Sequence, residues 1–346
     1  MAKPSKPLPL SDRLDCFIQL GKRIQSLDAS RKEAIGQRAK AENPWFTEAS
    51  VLLALSNLGE MMEEDSLVNF VLSYPGLKEE HPVRTIGLVL AGNIPAVGFH
   101  DLFCVLIAGH IAETKLSKSD SSLIHFLLDE ILNIEPRFGD FISKVDRLSN
   151  FDAVVCTGSD NSSRYFEYYF GKYPNIIRKN RTSIAILKGD ESEQELKLLA
   201  DDIFTYYGFG CRNVSKVFLP KGMEVISILP AFEHYSFVGH HHKYANNYDY
   251  NKAIFLVNQQ HCFDNGFLIL KEDLSLFSPL SVLHFEYYEE LDVLFTQLEK
   301  TEKSIQCIVS KVPQIKKKVA FGNTQRPNLM DYADGVDVVE FLLGLE

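Results

Sequence analysis

From Ser11 onward the apolar positions Leu14, Phe17, Ile18, Gly21, Ile24 and Leu27 recur at helical spacing. Amphipathic patterns continue over Arg31 to Ala41, Glu48 to Leu58 and Ser66 to Ser73, with Asn43-Pro44 and Pro75-Gly76 as punctuation. The pattern predicts a helical prologue devoted to packing, with the lone tryptophan, Trp45, as a packing or interface residue. Ahead of it, Met1 to Leu10 carries three prolines and two lysines and reads as a mobile tail or an arm laid on a neighbouring subunit.

The pattern changes after Pro82. Thr85 to Ala91 is a buried-strand run that leads into Gly92-Asn93-Ile94-Pro95, and a helical pattern follows from Val97 to Ala108. A strand (Ile111 to Leu116), a helix (Ser121 to Leu132), a strand (Phe151 to Thr157) and a helix (Ser162 to Phe170) come next. Strands alternating with helices predict βαβ units and a parallel sheet, whose ligands bind at the carboxyl ends of the strands. Three turns lie there: Gly92-Asn93, Lys115-Leu116-Ser117-Lys118 and Thr157-Gly158-Ser159. Singly, each is explained as a strand-to-helix turn or an N-cap. Together they gather helix-start amides, hydroxyls and two cations at one sheet edge, which suits a phosphorylated nucleotide, although no G-x-G-x-x-G is present.

Further along, Thr182 to Leu187 reads as a strand, and Glu193 to Tyr207 as a helix that delivers the chain to Tyr206-Tyr207-Gly208-Phe209-Gly210-Cys211-Arg212-Asn213. Strands are expected at Val217 to Pro220, Ser278 to Leu283 and Ser304 to Val309, and helices at Met223 to Phe232, Tyr287 to Lys300 and Val338 to Leu345. His240, His241 and His242 interrupt the pattern. Adjacent side chains point apart and no ligand-spaced Cys, Asp or Glu set accompanies them, so a structural or substrate-lining role is expected and no metal.

Composition narrows the classes. With 346 residues, 45% hydrophobic and 24% charged, the chain has room for about two packed domains. Its net charge of −10 argues against a nucleic-acid partner. No apolar run approaches the ~18 residues of a membrane span, and no leader pattern opens the chain, so a cytoplasmic location is expected. The six cysteines form no C-x-x-C pair, so reduced thiols are expected. Cys16, Cys104, Cys156 and Cys307 read as packing residues, and Cys262 is open between roles. Cys211 differs, because the glycines on either side of Phe209 let the backbone come close to a ligand. We read it as a nucleophile. The next amide, that of Arg212, is a candidate oxyanion donor.

Ala91-Gly92-Asn93-Ile94-Pro95, Lys115-Leu116-Ser117, Thr157-Gly158-Ser159 and Gly208-Phe209-Gly210-Cys211, in that order, resemble the aldehyde dehydrogenase superfamily. The likeness is nearest to its acyl-CoA reductase (LuxC-type fatty acid reductase) branch and runs from about Arg84 to the C-terminus, including Phe321-Gly322-Asn323-Thr324-Gln325. The resemblance implies an α/β fold of two domains with open, mostly parallel sheets and an N-terminal helical segment. Residues 1–82 would be the helical part of the cofactor domain, 83–188 its nucleotide-binding α/β part, and 189–346 the catalytic domain bearing Cys211.

By the same likeness Asn93 and the backbone N–H of Cys211 would hold the oxyanion, Lys115 the adenosine ribose, and Gly158 and Ser159 the pyrophosphate, with Gly92 and Ser117 in the same loops. Where many members have a carboxylate three residues after the lysine, this chain has Lys118, which suits a 2′-phosphate and favours NADPH over NADH. Hydrolytic relatives carry a glutamate ahead of the cysteine, whereas the matching stretch here, Lys179-Asn180-Arg181-Thr182-Ser183, has no carboxylate to activate water. The implied reaction is NADPH-dependent reduction of a fatty acyl-CoA or acyl-protein thioester to the aldehyde through an acyl-cysteine. Its alternatives are a non-redox acyl carrier or acyltransferase and a silent subunit of a reductase complex. The resemblance also implies a homo-oligomer, working with acyl-donating enzymes.

Overall fold

The computed structural model describes residues 4–315 and 318–345. Four helices open the chain: α1 (Leu10–Gln25), α2 (Ala29–Glu42), α3 (Glu48–Met61) and α4 (Glu64–Ser73). An alternating run follows of β1 (Thr85–Val89), α5 (Phe99–Ile107), β2 (Ile111–Lys115), α6 (Ser121–Ile134), β3 (Ile142–Lys144), β4 (Ala153–Thr157), α7 (Asp160–Phe170) and β5 (Asn175–Arg178). A second run comprises β6 (Thr182–Ile186), α8 (Glu193–Phe204), β7 (Val214–Pro220), α9 (Leu229–Phe232), α10 (His242–Val257), β8 (Phe263–Asp264), β9 (Ile269–Glu272), β10 (Val282–Tyr288), α11 (Leu291–Glu299) and β11 (Ile305–Val309). A last helix, α12 (Val338–Leu343), closes the chain.

These elements form two compact units, Met1–Asn180 with Pro327–Glu346, and Arg181–Arg326. The first holds a five-stranded sheet in the order β3-β2-β1-β4-β5, all neighbours parallel. Alternate side chains of β4 go to opposite faces: Val155 joins the main core, while Val154 and Cys156 join a second cluster with Phe166 and Phe170 of α7. Two covered faces explain why the strands are apolar runs without a polar face. The prologue helices complete the main core, where the Phe17 and Phe103 rings meet edge-on at 4.8 Å and Trp45 packs against the rim.

Met1 to Lys3 of the expected tail lie outside the described residues, but the stretch after them is docked. Leu8 and Leu10 pack on the core, and Pro7 fills the space beside Gly109, with its Cβ 2.5 Å from where a side chain there would begin. The C-terminal segment is tied to the same unit. Tyr74, the residue that caps the end of α4, donates to Asp337 at 2.6 Å and shares a 2.8 Å bond with Tyr332. His100 and His110 lie 2.9 and 3.2 Å from the carbonyls of Leu329 and Leu342. Burial holds His110 neutral, its pKa pushed down to about 4.

The second unit carries a six-stranded sheet, β11-β6-β7-β10-β9-β8, parallel throughout except for the antiparallel edge pair β8 and β9. Ser192 and Glu195 form a reciprocal capping box that starts α8, the signature the spacing S-x-x-E encodes. Some expected boundaries shift. The strand placed at Ser278 to Leu283 is β10, beginning at Val282, because Ser281 turns the chain with φ 66°. The histidine run that interrupts the pattern starts a helix that the periodicity did not announce, with His241 at the cap of α10. The short strands β3, β5, β8 and β9 carry little periodic signal of their own.

Candidate functional site

In the first unit, strand order reverses between β1 and β4, and ligands of such sheets bind at the carboxyl end beside that reversal. Register fixes what lies there. Val89 pairs with both Lys115 and Cys156, so the turns after β1, β2 and β4 leave the sheet at one level. Gly92, Asn93, Lys115, Ser117, Lys118, Gly158 and Ser159 therefore share one edge. Asn93, Lys115, Lys118 and Ser159 are exposed. Neither lysine has an ion-pair partner among the described residues, which leaves two ammonium groups at the edge.

The turns interlock. A Cβ on Gly92 would stand 2.4 Å from the Ser117 hydroxyl, so glycine is what allows the β1 turn to lie against the β2 turn. A Cβ on Gly158 would meet Phe166 at 2.8 Å and Ser162 at 2.9 Å, which presses the β4 turn onto α7. Ser159 is the N-cap of α7, accepting from the Ser162 amide at 3.3 Å, so the capping explanation of this serine holds whatever else it does. Glu42 performs the equivalent service for α6, accepting from the amides of Ser121 and Ser122 at 2.8 Å each.

Two buried carboxyls support these turns from behind. Asp101 pairs with Arg178 through two bonds, of 2.5 and 2.9 Å, and Arg178 also donates to Thr157 at 3.1 Å. Burial alone would lower the Arg178 pKa, but the Asp101 carboxylate outweighs it and the guanidinium stays charged. Asp120 accepts from the Ala96 amide at 2.9 Å through one oxygen, while the other, buried, has no partner among the described residues. Ala96 stands at φ 57°, so this bond holds a turn that alanine resists. Burial, opposed by the Ala96 amide, pushes the Asp120 pKa up to about 8.

In the second unit, α8 ends at Phe204 rather than running on to Tyr207, because three residues in succession, Tyr206, Tyr207 and Gly208, take φ values of 53°, 57° and 82°. Left-handed tyrosines each cost about 1–2 kcal/mol. Gly210 is not in this region of φ; of the paired glycines only Gly208 takes it, and the two tyrosines before it take it as well. Cys211 follows, half-buried, whereas Cys16, Cys104, Cys156 and Cys307 are buried in cores. Burial pushes the Cys16 and Cys156 thiols up to about 12, which keeps them inert. Cys262 is half-buried against Tyr248 and Phe255.

Residues that sequence reasoning passed over build the bed of this turn. Asn213, 3% exposed, accepts from the Gly210 amide at 2.8 Å. Its own amide faces the carbonyls of Asp202, Ile203 and Thr205 at 3.2, 3.2 and 2.9 Å. The last carbonyls of a helix lack internal donors, and here one side chain answers them. Ser183 donates to the Cys211 carbonyl at 3.0 Å and accepts from the Cys307 amide at 3.1 Å. Of the histidines, His241 lies ring to ring with Tyr207 at 4.7 Å and stacks on His242, while His240 and His242 are exposed. Among the described residues no group of three His, Cys, Asp or Glu could hold a metal ion. Nor is any helix among them long and apolar enough to cross a membrane.

The chain matches the family model described as acyl-CoA reductase (LuxC) over residues 17–227, more than half its length. That span includes every candidate site residue of both units. No curated protein matches at a significant level. Among solved structures, a Mycobacterium tuberculosis aldehyde dehydrogenase complexed with NAD+ superposes with a TM-score of 0.63 at 12% identity, covering 88% of this chain and 73% of that one. An NAD-dependent aldehyde dehydrogenase from Sinorhizobium meliloti gives 0.65 at 10% identity, covering 92% and 72%. An NADP-dependent glyceraldehyde-3-phosphate dehydrogenase from Bacillus halodurans, complexed with NADP, gives 0.60 at 12%, covering 89% and 75%. The fold is that of the aldehyde dehydrogenases.

Proposed function

Because the chain belongs to the acyl-CoA reductase (LuxC) family, an oxidoreductase family of aldehyde dehydrogenase fold, we propose that it reduces a fatty acyl-CoA or acyl-protein thioester to the aldehyde with NADPH, by way of an acyl group on Cys211. The observation that carries this is the half-buried thiol on a turn fixed by Ser183 and Asn213, in a chain whose other cysteines, Cys262 apart, are buried.

Cys211 acts as thiolate. Its sulfur forms a bond to the thioester carbonyl carbon, the donor's carbon–sulfur bond breaks, and the departing thiolate takes up a proton. By the family likeness the Asn93 side-chain amide and the Cys211 backbone N–H would be the donors that the oxyanion of this step and of the next calls for. When bound, the reduced nicotinamide supplies the hydride. The Cys211 sulfur–carbon bond then breaks and the aldehyde leaves, so the thiolate is regenerated.

The first unit's sheet edge fits such a cofactor: two exposed ammonium groups, a capped helix start and a tightly packed glycine turn meet at the strand-order reversal. Lys115 would hold the adenosine ribose, Gly158 and Ser159 the pyrophosphate, with Gly92 and Ser117 shaping the floor. Lys118 favours the 2′-phosphate of NADPH, since an ammonium at that place attracts what a carboxylate would repel. The stretch Lys179 to Ser183, which matches the place where hydrolytic relatives carry a glutamate, has no carboxylate, and its Ser183 is already committed to Cys211 and Cys307. The acyl-enzyme is thereby kept for reduction. A homo-oligomer supplied by acyl-donating enzymes completes the proposal, and light scattering on the purified protein tests its oligomeric part.

The deciding experiment follows NADPH absorbance with a graded series of acyl-CoAs, for wild type and Cys211→Ala. Acyl-dependent loss of NADPH that disappears in the variant is expected. Constant NADPH with CoA release and acylation of Cys211 would instead make the protein an acyltransferase, and no acylation at all a silent subunit.

A further inference from the structure

Asp202 lies on the last turn of α8, 1% exposed and without a cationic partner among the described residues. Its two oxygens face one short turn. Oδ2 accepts from the Gly322 amide at 2.7 Å and Oδ1 from the Thr324 amide at 2.9 Å. Gly322 stands at φ 79°, and a Cβ there would meet Leu198 of α8 at 2.8 Å, so the turn is pressed directly onto the helix. Thr324 is fully buried, and its carbonyl receives the Nε–H of Arg212. Asn213 in turn donates to the main-chain carbonyl of Asp202 itself. The hydrogen bonds close a ring, from α8 to the turn at 322–324, to Arg212, to Asn213 and back to α8, and Cys211 immediately precedes the two residues by which the ring grips its own loop.

A buried carboxylate with no cation is expensive to keep, and the two amides it answers are what offset that cost. Burial does push the Asp202 pKa up, to about 6, against the pull of the two amides. What the carboxylate supplies is direction: two acceptors fix the orientation of the Thr324 peptide, and that peptide aims the carbonyl that holds Arg212. We infer that Asp202 is a positioning residue for the Cys211 thiol, acting through the Thr324 carbonyl and the Arg212 guanidinium. The inference rests on Cys211 being the nucleophile of the proposed reaction.

The test uses the full chain with Asp202→Asn, Arg212→Ala, both together, and Arg212→Lys. Three readouts are taken: the rate of Cys211 alkylation by iodoacetamide, single-turnover acylation by an acyl-CoA, and NADPH binding followed by nicotinamide fluorescence. Asp202→Asn keeps the shape but leaves one of two amides unanswered, and Arg212→Ala removes the receiving group. Each is expected to slow acylation roughly ten- to hundredfold through thiol misplacement while NADPH binding stays at the wild-type level. Together they are expected to be no slower than the slower single variant, since they interrupt one chain of contacts. Arg212→Lys, whose ammonium stands one bond beyond the place of Nε and can turn back to the Thr324 carbonyl, should recover part of the loss.

Multiplying losses in the double variant, or wild-type rates in folded Asp202→Asn, would overturn the inference. If Asp202→Asn does not fold, Arg212→Lys decides, and a rate no better than that of Arg212→Ala overturns it. Should wild type show neither acylation nor NADPH consumption, the proposed reaction fails by itself; the alkylation rates of the same variants still report the positioning of the thiol.

Discussion

At the sheet edge of the first unit and at the cysteine turn of the second, a loop that bears candidate chemistry is held from behind by buried carboxyls, but each is compensated differently. Asp101 faces a guanidinium, Asp202 faces two backbone amides, and Asp120 faces one amide with its second oxygen unanswered. The consequences scale with that compensation. The Asp101 pair keeps Arg178 charged, Asp202 is raised to about 6, and Asp120 is raised to about 8. Asp120 and Asp202 are equally buried, so the number of donors, one against two, more than depth, separates the two raised carboxyls.

Removing the strongest compensation should have the largest effect. Arg178→Ala leaves Asp101 buried without its cation and is expected to cost about 3–5 kcal/mol of stability, read as a shift in the urea midpoint. A loss below about 1 kcal/mol would place Asp101 and Asp120 in the same class and dissolve the contrast.

Asn93→Ala tests the loop that Asp120 supports rather than the support itself. It should lower acyl-dependent NADPH oxidation on the order of a hundred- to a thousandfold, the usual loss for one oxyanion donor, with little change in melting temperature. A parallel collapse in stability would make Asn93 a scaffold residue.

The weakest compensation shows in the pH dependence. Asp120 has a folded pKa above its unfolded value, so its contribution is fully present below about pH 4 and is lost as pH rises through about 8. Asp120→Asn, whose side-chain oxygen can still accept from Ala96, is expected to show a shallower fall in melting temperature across that interval. Parallel curves for wild type and variant would mean that Asp120 is ionised in the fold like any surface carboxylate. The smallest expected effect is at Lys118, an exposed residue. Lys118→Glu should weaken NADPH roughly tenfold, about 1.4 kcal/mol, and leave NADH nearly unchanged, measured as the ratio of the two KM values.

Local sequence determined a large part of this protein. Alternating strands and helices from Thr85 onward and the glycine turns after β1 and β4 are written in periodicities and residue types that act over a few positions, and with the ordered turns they made the aldehyde dehydrogenase fold legible. The candidate site residues were legible as turns for the same reason. What supports those turns was not. Asp202 meets Gly322 and Thr324, Asp101 meets Arg178 and Ser183 meets Cys211, partners separated by 120, 122, 77 and 28 positions. Nor does periodicity mark the return of Pro327–Glu346 to the first unit, where His100, His110 and Tyr74 receive it. A residue's own type fixes what it can donate or accept, and its near neighbours fix its helix or strand. Which distant amide completes a buried carboxylate depends on where the chain comes back, and only the packed tertiary structure decides that.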